Sequence, residues 1–195
     1  MESSPTTMTE TPVVVVAESD PSRADRYAAW LDDDCVVRVV HDGPGALDAI
    51  DRDVDVVVLG RSLRDATEGD PLYALRERGI DVGVATIGED DPSPGSVAST
   101  PDDTLVEPVS AADLRRTASV LAARRRYEHG IHDLFSLATE RAAVETGEVA
   151  AETARDLDAR IDALRDRLDA TLDDLIDEAG FAAAYRAIDR DDERS

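Results

Sequence analysis

Asp53-Val54-Asp55-Val56-Val57-Val58-Leu59-Gly60 is a run of apolar, mostly β-branched residues that starts among acidic ones. A continuous apolar run of this length is typical of a strand buried on both faces, as in a parallel sheet. Open α/β sheets bind ligands at the carboxyl ends of their strands. At that end stands Gly60, which has no side chain to react. The sequence therefore predicts an α/β domain whose central strand ends without a functional group.

Apolar segments on both sides of this run extend the predicted sheet. Four more strands are predicted, at residues 13–16, 35–40, 82–87 and 104–106. Helices are predicted between or after the strands, starting at Pro21, around Ala46, at Pro71 and after Ser110. This alternation indicates a doubly wound parallel sheet of five strands. Residues 88–103 are rich in Gly, Pro, Ser and Asp, so the helix expected there is short or missing.

The charge of the chain is strongly one-sided. Its 195 residues carry 44 Asp and Glu against 21 basic residues, all of them arginine, for a net charge of -23. The apolar patterning argues against general disorder, so we interpret the acidity as adaptation to high salt, where screening shrinks the Debye length to about 3 Å at molar ionic strength. Such a surface also disfavours direct contact with nucleic-acid phosphates.

Cysteine content and hydropathy indicate a cytoplasmic protein. Cys35 is the one cysteine, which excludes an internal disulfide and fits a reducing compartment. No apolar run approaches the roughly 18 residues of a membrane span. Residues 1–11 are rich in Ser, Thr and Pro, lack the pattern of a signal peptide and are expected to be disordered.

Beyond Arg124 the sequence becomes helical, without strand signals. Apolar residues recur there three or four apart and form a seam of Leu157, Ile161, Leu164, Leu168, Leu172 and Leu175. This seam must pack on another helix, either from residues 131–150 folded back as a hairpin or from a second subunit. We interpret it as an oligomerisation surface or coiled coil. After a predicted break at Gly180, Phe181, Tyr185 and Ile188 indicate a short terminal helix.

With this order of elements, residues 12–123 resemble the receiver domain of two-component response regulators. The tail, residues 124–190, resembles the HalX domain that follows receivers in halophilic archaea. The matching segments are Arg124–Glu128, Phe135–Ala143 and Phe181–Tyr185. The resemblance implies a flavodoxin-like sheet of order 2-1-3-4-5, followed by an all-α tail.

The resemblance also implies a phosphorylation site at the strand ends. A working receiver needs an acceptor carboxylate, acidic neighbours that hold Mg²⁺, and a hydroxyl and a lysine that stabilise the transferring oxygens. By the resemblance, the two acidic positions correspond to Glu18 and Ser19, and the acceptor position corresponds to Gly60. The hydroxyl position corresponds to Gly88, and the lysine and the proline that follows it correspond to Glu107 and Pro108. Exchange of lysine for glutamate reverses a charge, and at about 4 Å it replaces roughly 1–4 kcal/mol of attraction by comparable repulsion.

We therefore interpret the first domain as a pseudo-receiver with a vestigial phosphorylation pocket, in a non-enzymatic regulator. It is expected to act as a phosphorylation-independent adaptor that contacts itself or other signalling proteins through the tail. Magnesium binding is expected to be weak or lost, with no other metal or cofactor, and neither nucleic acid nor membrane is an expected direct partner. Three alternatives stay open: a displaced acceptor such as Asp65, a small molecule bound near Gly60 and Gly88, and an indirect role in transcription.

Several other side chains admit a functional interpretation beside a structural one. Asp20 could chelate a cation together with Glu18, but capping of the helix at Pro21 is favoured. Thr86 is a candidate for the missing hydroxyl, although an ordinary strand residue explains it better. His129 and His132 lack a third metal ligand at fixed spacing. The basic residues Arg115, Arg116 and Arg124–Arg126 are expected to complement the end of the helix after Ser110 and to balance nearby carboxylates.

Overall fold

The computed structural model describes residues 11–60, 63, 74, 77–88, 101–146 and 151–192. For residues 145–146, 151–152 and 178–192 it describes the backbone alone. The chain divides into two compact units, Met1–Ala122 and Ala123–Ser195, here called the first and the second unit.

The first unit is built on a five-stranded, all-parallel sheet. Its strands are β1 Val13–Ala17, β2 Val36–Val40, β3 Val56–Gly60, β4 Gly83–Gly88 and β5 Asp103–Val106. They lie in the order β2-β1-β3-β4-β5, so the predicted order is confirmed. Every residue of β3 and β4 is buried, because these strands lie inside the sheet and carry the most continuous apolar runs.

Side chains alternate between two cores, one on each face of the sheet. Val14, Val16, Val56 and Val58 pack on the face that holds Tyr27 and Leu31. Their neighbours Val15, Ala17, Val57 and Leu59 pack on the other face, with Ala46 and Ile50. This alternation follows from the two-residue period of a strand. It places residue 60, two positions after Val58, on the same face as Tyr27.

Four helices have described bounds: α1 Pro21–Leu31, α2 Gly43–Ala49, α3 Ala111–Thr146 and α4 Ala151–Asp192. Asp20 caps α1, since its carboxylate accepts hydrogen bonds from the backbone N–H groups of Ser22 and Arg23. Ser110 caps α3 in the same way through the N–H of Asp113. Both predicted caps are confirmed.

Some sequence-based boundaries were wrong. The central strand starts at Val56 rather than Asp53. Asp55 instead uses its carboxylate to accept a hydrogen bond from the N–H of Val13 at 2.8 Å, which joins the start of β1 to the turn before β3. The helix predicted from Pro71 and the segment 88–103 fall mostly outside the described residues.

The second unit consists of the helical chain from Ala123 onward. A Cβ placed on Gly130 of α3 would lie 2.7 Å from Cδ2 of Leu168, so the missing side chain lets the two helices approach closely. Arg141 of α3 pairs with Asp158 of α4 at 2.7 Å. The second unit therefore covers its seam by folding back as a helical hairpin.

The seam is covered unevenly along α4. Leu157, Ile161, Leu164 and Leu168 are buried, whereas Leu172 is 39% exposed and Leu175 is half-buried. The predicted break at Gly180 is wrong, because α4 continues through it to Asp192. A single glycine costs a helix interior only about 1 kcal/mol, which a long helix can absorb. Among the described residues, none of the helices is long and apolar enough to cross a membrane.

Candidate functional site

Glu18 follows β1 and points its carboxylate into the first unit, where only 2% of the residue is exposed. Its Oε1 atom accepts hydrogen bonds from the N–H of Asp20 at 2.9 Å and the hydroxyl of Ser19 at 3.3 Å. The same atom accepts one from Nη2 of Arg23 at 3.0 Å. Three donors thus hold one buried oxygen, which satisfies the charge that burial would otherwise penalise.

Glu18 also occupies the space next to Gly60. A Cβ placed on Gly60 would lie 2.3 Å from Oε2 of Glu18 and 2.9 Å from its Cδ. Any side chain at residue 60 therefore requires the Glu18 carboxylate to move. The position that the sequence analysis predicts to correspond to a receiver's phosphoryl acceptor lacks a side chain, and the carboxylate of Glu18, at the end of the neighbouring strand β1, fills the space.

Arg23 links Glu18 to a second carboxylate. Its Nη1 atom donates to Oε1 of Glu107 at 3.3 Å, and the hydroxyl of Tyr27 donates to the same oxygen at 3.1 Å. Arg23 and Tyr27 stand four residues apart, on one face of α1. We call Glu18, Arg23, Tyr27 and Glu107 the Arg23 cluster. It joins the ends of β1 and β5 through α1.

The cluster shifts two pKa values. Burial lowers the pKa of Arg23, but the surrounding groups, with Glu18 and Glu107 first among them, outweigh burial and leave the pKa raised. Burial, followed by the hydrogen bond to Glu107, raises the pKa of Tyr27 to about 12. The guanidinium therefore stays charged and the phenol stays a hydrogen-bond donor at any ordinary pH.

The sequence analysis missed both Arg23 and Tyr27. Neither residue belongs to the pocket that the sequence analysis predicts. One signal was available, since the resemblance implied two carboxylates, Glu18 and Glu107, at the strand ends of the pocket and no lysine between them. A search for the nearest arginine on the first turn of α1 would have found the counter-ion of Glu107.

The remaining residues of the predicted pocket have structural contacts. Asp20 is exposed and caps α1, and Arg23 lies 3.8 Å from it. Gly88 ends β4, and its carbonyl accepts a hydrogen bond from the N–H of Glu107 at 2.8 Å. The peptide bond between Glu107 and Pro108 is cis. These contacts place the pocket residues of β1, β4 and β5 at one edge of the sheet.

Thr86 does not replace the missing hydroxyl. Its neighbours Ala85 and Ile87 belong to the core on the Tyr27 face, so alternation turns Thr86 to the other face. There its Oγ1 lies 3.2 Å from Oγ1 of Thr104. Asp65, the proposed displaced acceptor, falls outside the described residues.

The donor set at this edge does not fit the Mg²⁺ ion that a receiver fold implies. Mg²⁺ demands several oxygen ligands in octahedral geometry. Gly60 supplies no oxygen from a side chain, Ser19 is uncharged, and the guanidinium of Arg23 already contacts Glu18. In the part of the chain that the structure describes, no group of three or more His, Cys, Asp or Glu side chains is arranged to hold a metal.

Histidine and arginine side chains of α3 contact other residues of the same helix. His132 donates from Nδ1 to the carbonyl of Glu128, and Arg125 donates to Nε2 of His129. Arg124 pairs with Glu128 at 3.1 Å. The expectation that Arg124–Arg126 lie at a helix end was wrong, because α3 continues to Thr146.

Comparison with known proteins gives a family match for the second unit. Residues 123–185 match the HalX domain model. A "Putative transcriptional regulator" of Haloferax volcanii is 34% identical over 158 residues, which is 78% of this chain and 27% of that protein. The chain thus spans about a quarter of the length of this curated relative.

Solved structures match the first unit. The signal receiver domain of a "putative Luxo repressor protein" from Vibrio parahaemolyticus superposes with a TM-score of 0.52 at 22% identity, over 62% of this chain and 96% of that one. The signal receiver domain of an HD domain-containing protein from Pseudomonas fluorescens gives a TM-score of 0.53 at 16% identity, over 62% and 93%. The chain carries a receiver fold followed by a HalX domain at residues 123–185.

Proposed function

We propose that this protein is a response-regulator-like signalling protein that works without phosphorylation of its receiver fold and acts through protein contacts. The observation that carries this proposal is the pair formed by Gly60 and Glu18. Residue 60 offers no nucleophilic oxygen, and the space its side chain would need lies 2.3 Å from a held carboxylate oxygen.

The charge at the pocket supports the same conclusion. Phosphoryl transfer needs positive groups around the developing charge on the transferring oxygens. Here the lysine position is Glu107, and the nearby cation, Arg23, already contacts Glu107 and Glu18. An incoming phosphoryl group would meet two carboxylates and would have to compete with both for one guanidinium.

The small-molecule alternative finds less support beside Gly60. The sequence predicts a vacated space beside Gly60, but the carboxylate of Glu18 occupies it. A ligand at this point would have to displace a buried group held by Ser19, Asp20 and Arg23. We retain protein contact as the way in which the domain passes information.

The helical second unit is the proposed contact surface for another signalling protein or a second copy. An indirect role in transcription, exerted through such partners, agrees with the name of the Haloferax volcanii relative. The arginines of α3 do not support direct reading of nucleic acid. Arg116 and Arg124 pair with Asp113 and Glu128, so their charge is already neutralised locally.

The test is incubation of the full chain with MgCl₂ and acetyl phosphate in molar KCl, followed by intact mass measurement. We expect no phosphoryl adduct. A receiver protein that keeps its acceptor aspartate, treated in the same tube, verifies that the donor is active. A stoichiometric, acid-stable and base-labile adduct would contradict the proposal, and peptide mapping of that adduct to Asp65 would establish the displaced acceptor instead.

A further inference from the structure

The two carboxylates of the Arg23 cluster raise the question of what balances their charge. Glu18 is almost fully buried, and the side chain of Glu107 is 22% exposed. Both approach one guanidinium, at 3.0 and 3.3 Å. Two carboxylates that share a site repel one another unless a cation lies between them. In a receiver fold that cation is expected to be a divalent metal.

We propose that the guanidinium of Arg23 is the resident cation of this pocket and takes the place of the divalent ion. This inference rests on the proposed function, because it assumes that the pocket no longer performs phosphoryl transfer. A cation that belongs to α1 cannot dissociate. The pocket therefore keeps one charge state at every magnesium concentration.

The geometry of arginine suits this role. A guanidinium presents several N–H donors in a rigid plane, so it can serve two acceptors at once. Nη2 serves Glu18 and Nη1 serves Glu107, while Asp20 lies 3.8 Å from Nε. The raised pKa of Arg23 agrees with a cation that its carboxylates hold in the charged form.

The same contacts fix the start of α3. Glu107 lies three residues before Ser110, the cap of α3, and its backbone N–H is bonded to Gly88. Arg23 and Tyr27 hold its side chain from α1. The resident cation thus ties α1 to the segment that leads into α3, a task that would otherwise depend on a bound metal.

The experiment compares the full-length wild type with Arg23→Ala and Arg23→Gln. Thermal unfolding is followed by the fluorescence of Trp30, the one tryptophan, while MgCl₂ rises and KCl falls at constant ionic strength. We expect the wild-type Tm not to respond to magnesium. In both variants we expect a Tm lower by about 5 °C or more without magnesium, and a saturable recovery as magnesium screens or binds the two carboxylates.

Two further variants control this result. Arg115→Ala also removes an arginine between carboxylates, but Asp33 and Asp34 are exposed, so no magnesium response is expected. Arg23→Ala combined with Glu107→Gln leaves one carboxylate and should lose most of the response of Arg23→Ala. If Arg23→Ala fails to fold, Arg23→Gln alone serves.

Either of two outcomes would overturn the inference. One is a saturable magnesium response of the wild type, and the other is a response of the Arg23 variants no larger than that of Arg115→Ala. Neither outcome bears on the phosphodonor assay, which asks only whether an adduct forms. Failure of the resident cation and failure of the proposed function are therefore distinguishable.

Discussion

Replacing Gly60 by alanine is expected to destabilise the first unit out of proportion to one methyl group. The new Cβ would lie 2.3 Å from Oε2 and 2.9 Å from Cδ of Glu18, well inside van der Waals contact. Glu18 must therefore swing away from donors on Ser19, Asp20 and Arg23. Breaking a buried ion pair costs about 3–5 kcal/mol. Because Arg23 is 29% exposed, solvent screening reduces this to about 2–4 kcal/mol.

The assay is thermal denaturation followed by the fluorescence of Trp30, which lies in α1 and reports on the first unit. A cost of about 2–4 kcal/mol corresponds to a fall in Tm of roughly 5–15 °C for a chain of this size. The decisive measurement is a double-mutant cycle with Glu18→Ala. Without the glutamate side chain the methyl group has room, so the cost of Gly60→Ala should largely disappear.

A matched control separates this clash from a general effect of alanine. Gly79 has a φ of 64° and nothing within 4 Å of its Cβ position, so Gly79→Ala is strained by its backbone alone. Its cost should be the same with and without Glu18. If Gly60→Ala is within about 0.5 kcal/mol of the wild type, or if its cost is additive with Glu18→Ala, the account of the pocket is refuted.

Two more predictions concern alkaline pH and the second unit. Burial raises the folded-state pKa of Tyr27 from 10.0 to about 12, so its contribution to stability is complete below pH 10 and is lost as the pH rises toward 12. The expected loss of stability between pH 10 and pH 12 is about 2–3 kcal/mol. Denaturation curves at these two pH values should show this loss in the wild type and not in Tyr27→Phe. An equal loss in the two proteins would exclude Tyr27 as its cause. In the second unit, Leu164→Ala should cost about 2–5 kcal/mol of helical stability in thermal far-UV circular dichroism, because Leu164 is 6% exposed. Leu172→Ala, at a site that is 39% exposed, is the matched control and should cost clearly less; equal costs would contradict the described packing.

The sheet was predictable because its signal is local. Strands β3 and β1 are β-branched runs that fit a buried parallel strand and few other structures. Caps such as Asp20 and Ser110 are equally local, since each acts within three residues. The continuity of α4 through Gly180 was missed because a glycine only weakens a helix, and the rest of a long helix outweighs it.

The candidate site was less predictable because its contacts are distant in sequence. Arg23 and Glu107 lie 84 positions apart, and Tyr27 and Glu107 lie 80 apart. Position-by-position reasoning correctly located Glu18, Gly60 and Glu107 at the strand ends but considered each by itself. It therefore found what the pocket lacks and did not find the arginine that connects what remains.

The absence of a side chain at residue 60 and the burial of Glu18 are physically coupled. A carboxylate at residue 60 would compete with Glu18 for the same space and the same guanidinium, and one of the two would be left buried without a cation. With glycine at residue 60, one buried carboxylate remains there, and Arg23 balances it while also holding Glu107. The pocket is then a closed ion pair rather than an empty site. Under the proposed function, signals act on the surface of the protein, because any chemistry at the strand ends must first break the contacts that stabilise them.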